Sequence, residues 1–251
     1  DKALMKDTSH PKHEERARRV KQFEAEYGEG WDGTMLEYDE DFVSLPSYVG
    51  NAANQGKFRT VLQWLNKGDI KERINAKCED IGNTGLLYAA TIGLSRSTAR
   101  DKKHDLMSYL LLNGADVNIL DSDGDSVLAI ACAVNNSLKT VSLLLSWGAE
   151  LFENGKEMTV ERKLDGLDDF CGGRGNAAIA KLISSELGGR RCEIVGTTIT
   201  RDDLVGKTCV VEEYITESDR YKVTMEFTNE ILLLGVDNLK RRDRSPQDPG
   251  Y

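Results

Sequence analysis

The chain lacks four things whose absence narrows its chemistry: a long apolar run, a metal-ligand pairing of cysteines and histidines, an excess of positive charge, and a catalytic signature. No stretch approaches the roughly 18 apolar residues that a membrane-spanning helix needs. The opening Asp1-Lys2-Ala3-Leu4-Met5-Lys6 has no apolar centre of the signal-peptide kind. With no initiator Met, the chain reads as a fragment or processed form, in which a removed targeting peptide would no longer be visible. Five cysteines, Cys78, Cys132, Cys171, Cys192 and Cys209, are an odd number and nowhere form a Cys-x-x-Cys pair, and His10, His13 and His104 stand at no metal-ligand spacing. No metal or cofactor is therefore expected. Reduced thiols in the cytoplasm or nucleus are the plain reading, or in an organellar stroma if a transit peptide is missing.

Charge excludes a general grip on nucleic acid. Residues 1–45 carry 7 basic and 12 acidic side chains, 46–187 carry 16 and 18, and 188–251 carry 10 and 12. None of the three offers the basic surface that displaces counterions from phosphates. Lys240-Arg241-Arg242-Asp243-Arg244 is a local exception and reads as a solvated tail. Catalytic motifs fail on inspection. Gly172-Gly173-Arg174-Gly175 has no Lys-Ser/Thr after it. Asp121-Ser122-Asp123-Gly124-Asp125 places Gly at the fourth position of a calcium loop instead of the sixth, and Cys132 falls at the twelfth, where Glu is required. Without a nucleophile beside a base or a ligand cluster, no reaction is assigned and the chain is expected not to be an enzyme.

What the chain does have is a recurring phrase. Gly-Ala-type helix ends stand at Gly68-Asp69, Gly114-Ala115 and Gly148-Ala149, each after a leucine pair or its equivalent: Trp64-Leu65, Leu110-Leu111 and Leu144-Leu145. Leu106, Met107, Leu110 and Leu111 give a helix one apolar face. Ala89-Ala90 and Ala131-Cys132 are small enough for neighbouring helices to approach closely. Gly114 and Gly148 fit left-handed helix ends, and Asp121 with Gly124 fits a tight turn.

Asn113-Gly114-Ala115-Asp116-Val117-Asn118 followed by Asp121-Ser122-Asp123-Gly124-Asp125-Ser126-Val127-Leu128-Ala129 resembles the junction between two ankyrin repeats. The resemblance implies three repeats, at 47–75, 80–118 and 122–151, with a degenerate fourth at 164–187. The step from Gly68 to Gly114 is longer than the family's period of about 33 residues, so the polar run 94–104 is expected as an inserted loop. That loop would lie between a first helix ending near Gly93 and a second starting near Asp105, and would tolerate deletion. The usual Thr-Pro-Leu-His reads Thr84-Gly85-Leu86-Leu87 and Ser126-Val127-Leu128-Ala129, keeping the hydroxyl and one leucine while losing Pro and His.

Two segments flank this stack. In the acidic extension 1–45, Ala17, Val20, Phe23 and Tyr27 have amphipathic-helix spacing, and Trp31, Leu36, Tyr38 and Phe42 stand among acids. That strip is read as packing over the first repeat or as a docking strip for a basic partner. The last 60 residues change to period two, with short β-branched runs at 192–195, 208–214, 221–227 and 230–234. The order Leu204-Val205-Gly206-Lys207, an apolar strand, Arg220-Tyr221-Lys222-Val223 and Val236-Asp237-Asn238-Leu239 resembles the small SH3-like or KOW-like barrels found beside ankyrin repeats in some protist and algal proteins. The expected architecture is thus an α + β multidomain chain: 1–45 extension, 46–187 ankyrin solenoid, 188–242 antiparallel barrel and 243–251 tail. Tyr214, Tyr221 and Phe227 are available for an aromatic cage, although a structural role in strands is the commoner one.

The resemblance implies a non-enzymatic adaptor that grips a protein partner on the concave face of turn tips and first helices. By position in the repeat, the candidate contacts are Asp80, Asn83, Tyr88, Asp121, Asp123 and Asp125. Four acids among them favour a basic partner. Alternatives are a regulatory or targeting module of a larger enzyme, or a chaperone for a hydrophobic client. A capped stack gives no reason to expect more than a monomer.

Overall fold

The computed structural model describes residues 43–92, 97–135, 137–158, 177–196 and 201–248, together with Arg18 and Lys21. The chain divides into a unit at Asp1–Phe42 and a unit at Val43–Tyr251. In the first, Arg18 and Lys21 are helical and exposed. The amphipathic positions Ala17 to Tyr27, the acidic aromatic strip up to Phe42, and the Gly172–Gly175 run lie outside the described residues.

The second unit begins with helices rich in small residues. Pro46 has an extended backbone and precedes α1 (Ser47–Asn54), which buries Val49, Gly50, Ala52 and Ala53. Those small side chains let α1 pack against α4 (Leu86–Ile92), nearly all of which is buried. Between them run α2 (Phe58–Leu65), which buries Val61, Trp64 and Leu65, and the single turn α3 (Ile70–Arg73), whose first N–H groups are capped by Asp69. Further pairs follow: α4 with α5 (Ser97–Leu112), then α6 (Val127–Ile130), continued by a π-helical turn at Ala131–Asn135, with α7 (Leu138–Ser146). Helix α8 (Ala177–Ile183) packs on α7. One apolar core joins all of these, with Trp64, Leu65, Leu86, Leu106, Leu110, Leu111, Leu128 and Leu144 fully buried. No single pair could bury such faces alone, so stacking supplies the stability.

Between helix pairs the chain projects short turns. Strand β1 (Lys77–Cys78) pairs with β2 (Thr84–Gly85), Leu120 bridges to Ser126, and β3 (Phe152–Glu153) pairs with β4 (Lys156–Glu157). The second turn is built as expected: Asp121 accepts from the N–H groups of Asp123 and Asp125, both at 2.9 Å, and Gly124 has φ +83°. Successive tips touch backbone to backbone. Ser122 N–H donates to Gly82 O at 3.0 Å and Gly155 N–H to Gly124 O at 2.9 Å. A Cβ added to Gly124 would stand 2.3 Å from Gly155 N, so the close approach requires glycine. Ser126 serves twice, its buried hydroxyl capping α6 through Ala129 N–H and accepting Phe152 N–H from the next turn.

Two expectations are corrected. Gly114 and Gly148 end α5 and α7 with φ of +94° and +87°, but Gly68 does not play that part: α2 ends at Leu65 and Gly68 is absent from the left-handed residues. Arg73 stands in, its guanidinium lying 5.0 Å from the Trp64 ring and donating to Trp64 O. Gly68 leaves it room, since an added Cβ would meet Arg73 Nε at 2.6 Å. Second, most of the expected 94–104 loop is helix. Neither Gly nor Pro interrupts Ser97-Thr98-Ala99-Arg100-Asp101-Lys102-Lys103, so the chain adds turns to α5 instead of looping out, and Lys103 is buried.

The C-terminal part is a five-stranded antiparallel sheet: β5 (Arg191–Ile194), β6 (Thr208–Ile215), β7 (Arg220–Met225), β8 (Ile231–Gly235) and β9 (Leu239–Arg241), in the order β8-β7-β6-β5-β9. Its own core gathers Cys192, Ile194, Leu204, Cys209, Val211, Val223 and Met225. A β-bulge between Val211 and Glu213 shifts the β6–β7 register, so that Tyr214 stands opposite Tyr221.

Gly124→Ala is expected to lower stability by more than Gly114→Ala, which costs about 1–3 kcal/mol for a strained φ alone; nothing lies within 4 Å of a Cβ at Gly114. Equal denaturant midpoints for the two variants would show that the tips do not press together. Deleting residues 95–104 is expected to lower the unfolding temperature by shortening α5, and an unchanged temperature would restore the loop reading.

Candidate protein-binding surface

The tips derive their shape from hydrogen bonds inside the chain, and this decides which of the expected contact residues face solvent. Asp80 is exposed, with its carboxylate accepting from Ser47 Oγ at 2.5 Å. Asn83 is exposed in a left-handed conformation, φ +56°. Asp123 is exposed, and its carboxylate makes no hydrogen bond among the described residues. The other three are committed inward. Asp121 closes its own turn and also accepts the hydroxyl hydrogen of Tyr88. Asp125 accepts from Asn154 N–H of the next turn at 3.1 Å. Tyr88 is only 4% exposed; burial, then the Asp121 hydrogen bond and charge, with Asp125 and Asp123 behind them, push its phenol above the usual range. It is held as a hydrogen-bond donor and ties α4 to the next tip.

Several residues that hold the surface together were not assigned from sequence. Asn75 donates to Gly114 O at 3.2 Å and accepts Asp116 N–H at 2.7 Å; Asn118 does the same one pair later, donating to Gly148 O at 3.3 Å and accepting Glu150 N–H at 2.8 Å. Each amide thus satisfies two backbone groups of the loop that follows the next helix pair. The third turn, Asn154-Gly155, takes left-handed φ at both residues. That Asn-Gly dipeptide was a readable signal, since only such residues suit a two-residue hairpin of this hand.

At the end of the helix stack, Arg190 takes over. It is 5% exposed and donates to Ala149 O at 2.7 Å, Leu145 O at 3.4 Å and Glu150 Oε2 at 2.8 Å. Burial pulls its pKa down, with Glu150 opposing. Arg241 grips the other oxygen of Glu150 at 2.6 Å, and Arg244 N–H donates to Ser146 O. The Lys240–Arg244 run is held by ion pairs while Lys240, Arg241 and Arg242 stay exposed: Arg241 to Glu150 and Asp243, Arg242 to Glu193 and Asp248, Arg244 to Glu226. Arg191 and Glu226, 2.8 Å apart, sit buried beneath this segment. Of the aromatic trio, Phe227 lies in the β7–β8 turn and is 71% exposed, away from the neighbouring Tyr214 and Tyr221, whose ring centres are 5.0 Å apart.

Among the described residues no group of three or more His, Cys, Asp or Glu is placed to hold a metal ion, and no helix is long and apolar enough to cross a membrane. No family model matches the chain. It is 28% identical over 117 residues to the transient receptor potential cation channel subfamily A member 1 of Drosophila melanogaster, a match that covers 47% of this chain and 9% of the channel. The chain thus spans under a tenth of that relative's length. The human ASB11 ankyrin repeat domain is similar at 23% identity, covering 53% of this chain and 57% of that one, with a TM-score of 0.36. The details of this surface rest on its own geometry.

Tyr88→Phe removes one buried hydrogen bond to a carboxylate and is expected to cost about 1.5–3 kcal/mol. Because the phenol's folded pKa is raised above its ordinary value of 10.0, this contribution is fully present below pH 10 and declines as pH climbs beyond it. The stability gap between wild type and variant should hold steady from neutral pH to about pH 9 and narrow above pH 10; a gap independent of pH up to the alkaline limit would remove the Tyr88–Asp121 bond from the tip.

Proposed function

We propose that the chain is a non-enzymatic adaptor that binds a protein partner along its row of turn tips. The observation that carries this reading is the tip-to-tip bonding: Gly82 to Ser122 and Gly124 to Gly155 lock successive turns into one row, which holds Asp80, Asn83 and Asp123 outward on a rigid support. Rigid presentation reduces the ordering cost of association. Asp80, Asn83 and Asp123 are the direct contacts in this reading. Asp121, Asp125 and Tyr88 act behind them, Asp121 and Asp125 adding charge and Tyr88 fixing shape. A basic partner is the complement of four carboxylates on one edge.

In the same reading, residues 46–187 form the ankyrin solenoid, 188–242 an SH3-like barrel that closes its end, 1–45 an acidic extension and 243–251 a tail. The five short antiparallel strands support the barrel assignment. The protein works as a monomer without cofactor in an intracellular compartment, a placement supported by the free, buried thiols of Cys78, Cys132, Cys192 and Cys209.

Proximity labelling identifies the partner, and stopped-flow association then tests the surface. Asp80→Asn with Asp123→Asn should leave the unfolding temperature unchanged, because neither carboxylate closes a turn. Association with a basic partner should slow by about tenfold at low salt, with the difference shrinking as salt rises. Equal rates across the salt series would exclude the tips from the encounter.

A further inference from the structure

A groove of about 600 Å³ runs between α8 with the turn behind it and the β6–β7 hairpin. One wall comes from the helical part and carries Lys181 and Glu186; the other comes from the sheet and carries Glu213, Tyr214, Glu217 and Tyr221. Neither part forms the groove alone.

The bulge in β6 shapes the sheet wall. Val211 stands opposite Val223, but past the bulge Glu213 stands opposite Lys222 and Tyr214 opposite Tyr221. In an unbroken register Glu213 would face Tyr221, so the extra residue is what brings the two rings onto one face. Tyr221 is buried, while Tyr214 is partly exposed and donates its hydroxyl hydrogen to Asp219 at 2.5 Å. The ring that borders the groove is thereby held in place.

The electrostatics of the lining are unbalanced. Lys181 pairs with Glu213, whereas Glu186 and Glu217 have no cation partner among the described residues. Ser185 lines the same groove, and its hydroxyl oxygen is buried without a hydrogen-bond partner among the described residues. Two unneutralised carboxylates beside a fixed tyrosine suit a cation on an apolar stem: the stem lies along the ring, the charge meets its face and the carboxylates. Phosphate or an anionic lipid surface would be repelled by the same groups. An uncharged apolar helix would leave both carboxylates unpaired and desolvated.

We propose that this groove is a second docking site, for a cationic linear segment of a protein partner that inserts a lysine or arginine side chain between Tyr214 and the carboxylates of Glu186 and Glu217. The site is separate from the turn tips and stands whether or not they bind a partner. Its volume lies within the range of ligand-binding clefts.

The test uses the full chain labelled with ¹⁵N and a ten-residue peptide of Lys, Arg, Gly and Ser, with an acidic peptide of matched length as control. Titration with the basic peptide should shift the amide signals of Glu186, Tyr214, Glu217 and Tyr221, and the acidic peptide should leave them in place. Glu186→Lys with Glu217→Lys, both exposed, should weaken binding at least tenfold without altering the spectrum elsewhere. Tyr214→Phe, which keeps the ring but loses its bond to Asp219, should bind more weakly than wild type and more tightly than Tyr214→Ala. Asp80→Asn with Asp123→Asn should leave the groove signals unaffected, which separates this site from the tips. Shifts confined to the tips, no shift at millimolar peptide, or full affinity in the double lysine variant would each overturn the proposal.

Discussion

A single amide, that of Asn118, bridges two consecutive helix pairs, and the rest of the stack depends on the spacing it sets. Its two hydrogen bonds to Gly148 O and Glu150 N–H hold the loop after α7 at one distance and one angle from the loop after α5. Asn75 sets the preceding step in the same way. Apolar burial drives the helices together but is non-directional. The amides convert that attraction into a repeatable step, and only at that step do the turn tips come close enough to bond through Gly82, Gly124 and Gly155.

The loop after α7 presents carbonyl groups and an apolar face that must be covered, and α8 packs on α7 to cover part of that face. Arg190 resolves the polar half of that problem. Its planar guanidinium reaches two carbonyls and a carboxylate at once, a geometry that lysine cannot reproduce. A buried cation of this kind is tolerable because all three of its partners are acceptors; removing it would strip Ala149 O of this donor and leave Glu150 to Arg241. Arg241 and the backbone of Arg244 attach the end of the chain to the same loop, so the sheet is joined to the helices at both its first and last strands.

That double attachment gives the two halves a shared surface. Helix α8 and the β6–β7 hairpin are distant in sequence, yet Lys181 and Glu213, 32 residues apart, connect them and the groove lies between. The helical part contributes repetition and therefore a row of equivalent tips. The sheet contributes a bulge, an irregularity that re-aims one side chain. A chain built in this way carries two surfaces of like charge but different character, one a set of exposed points and the other a recess with an aromatic wall.

The local chemistry was readable in the sequence. Gly114 and Gly148 at helix ends, Asp121 with Gly124 in a tight turn, the leucine faces of α5 and α7, and the alternation of the final strands all follow from interactions within a few residues, and each stands where its pattern placed it. The 97–104 helix was not readable, because a polar run without Gly or Pro fits a loop and a helical extension equally well until a neighbour packs on it. Tyr88 offered no sign of burial, and Lys240–Arg244 none of its ion pairs, since their partners Asp121, Glu150, Glu193 and Glu226 come from distant parts of the chain. The sequence by itself determined the repeating unit, through spacings that local sterics and helix periodicity dictate. Tertiary structure decided which charges face solvent, how the stack terminates and where the two halves leave a recess, because each of these depends on groups that folding alone brings within a few ångströms.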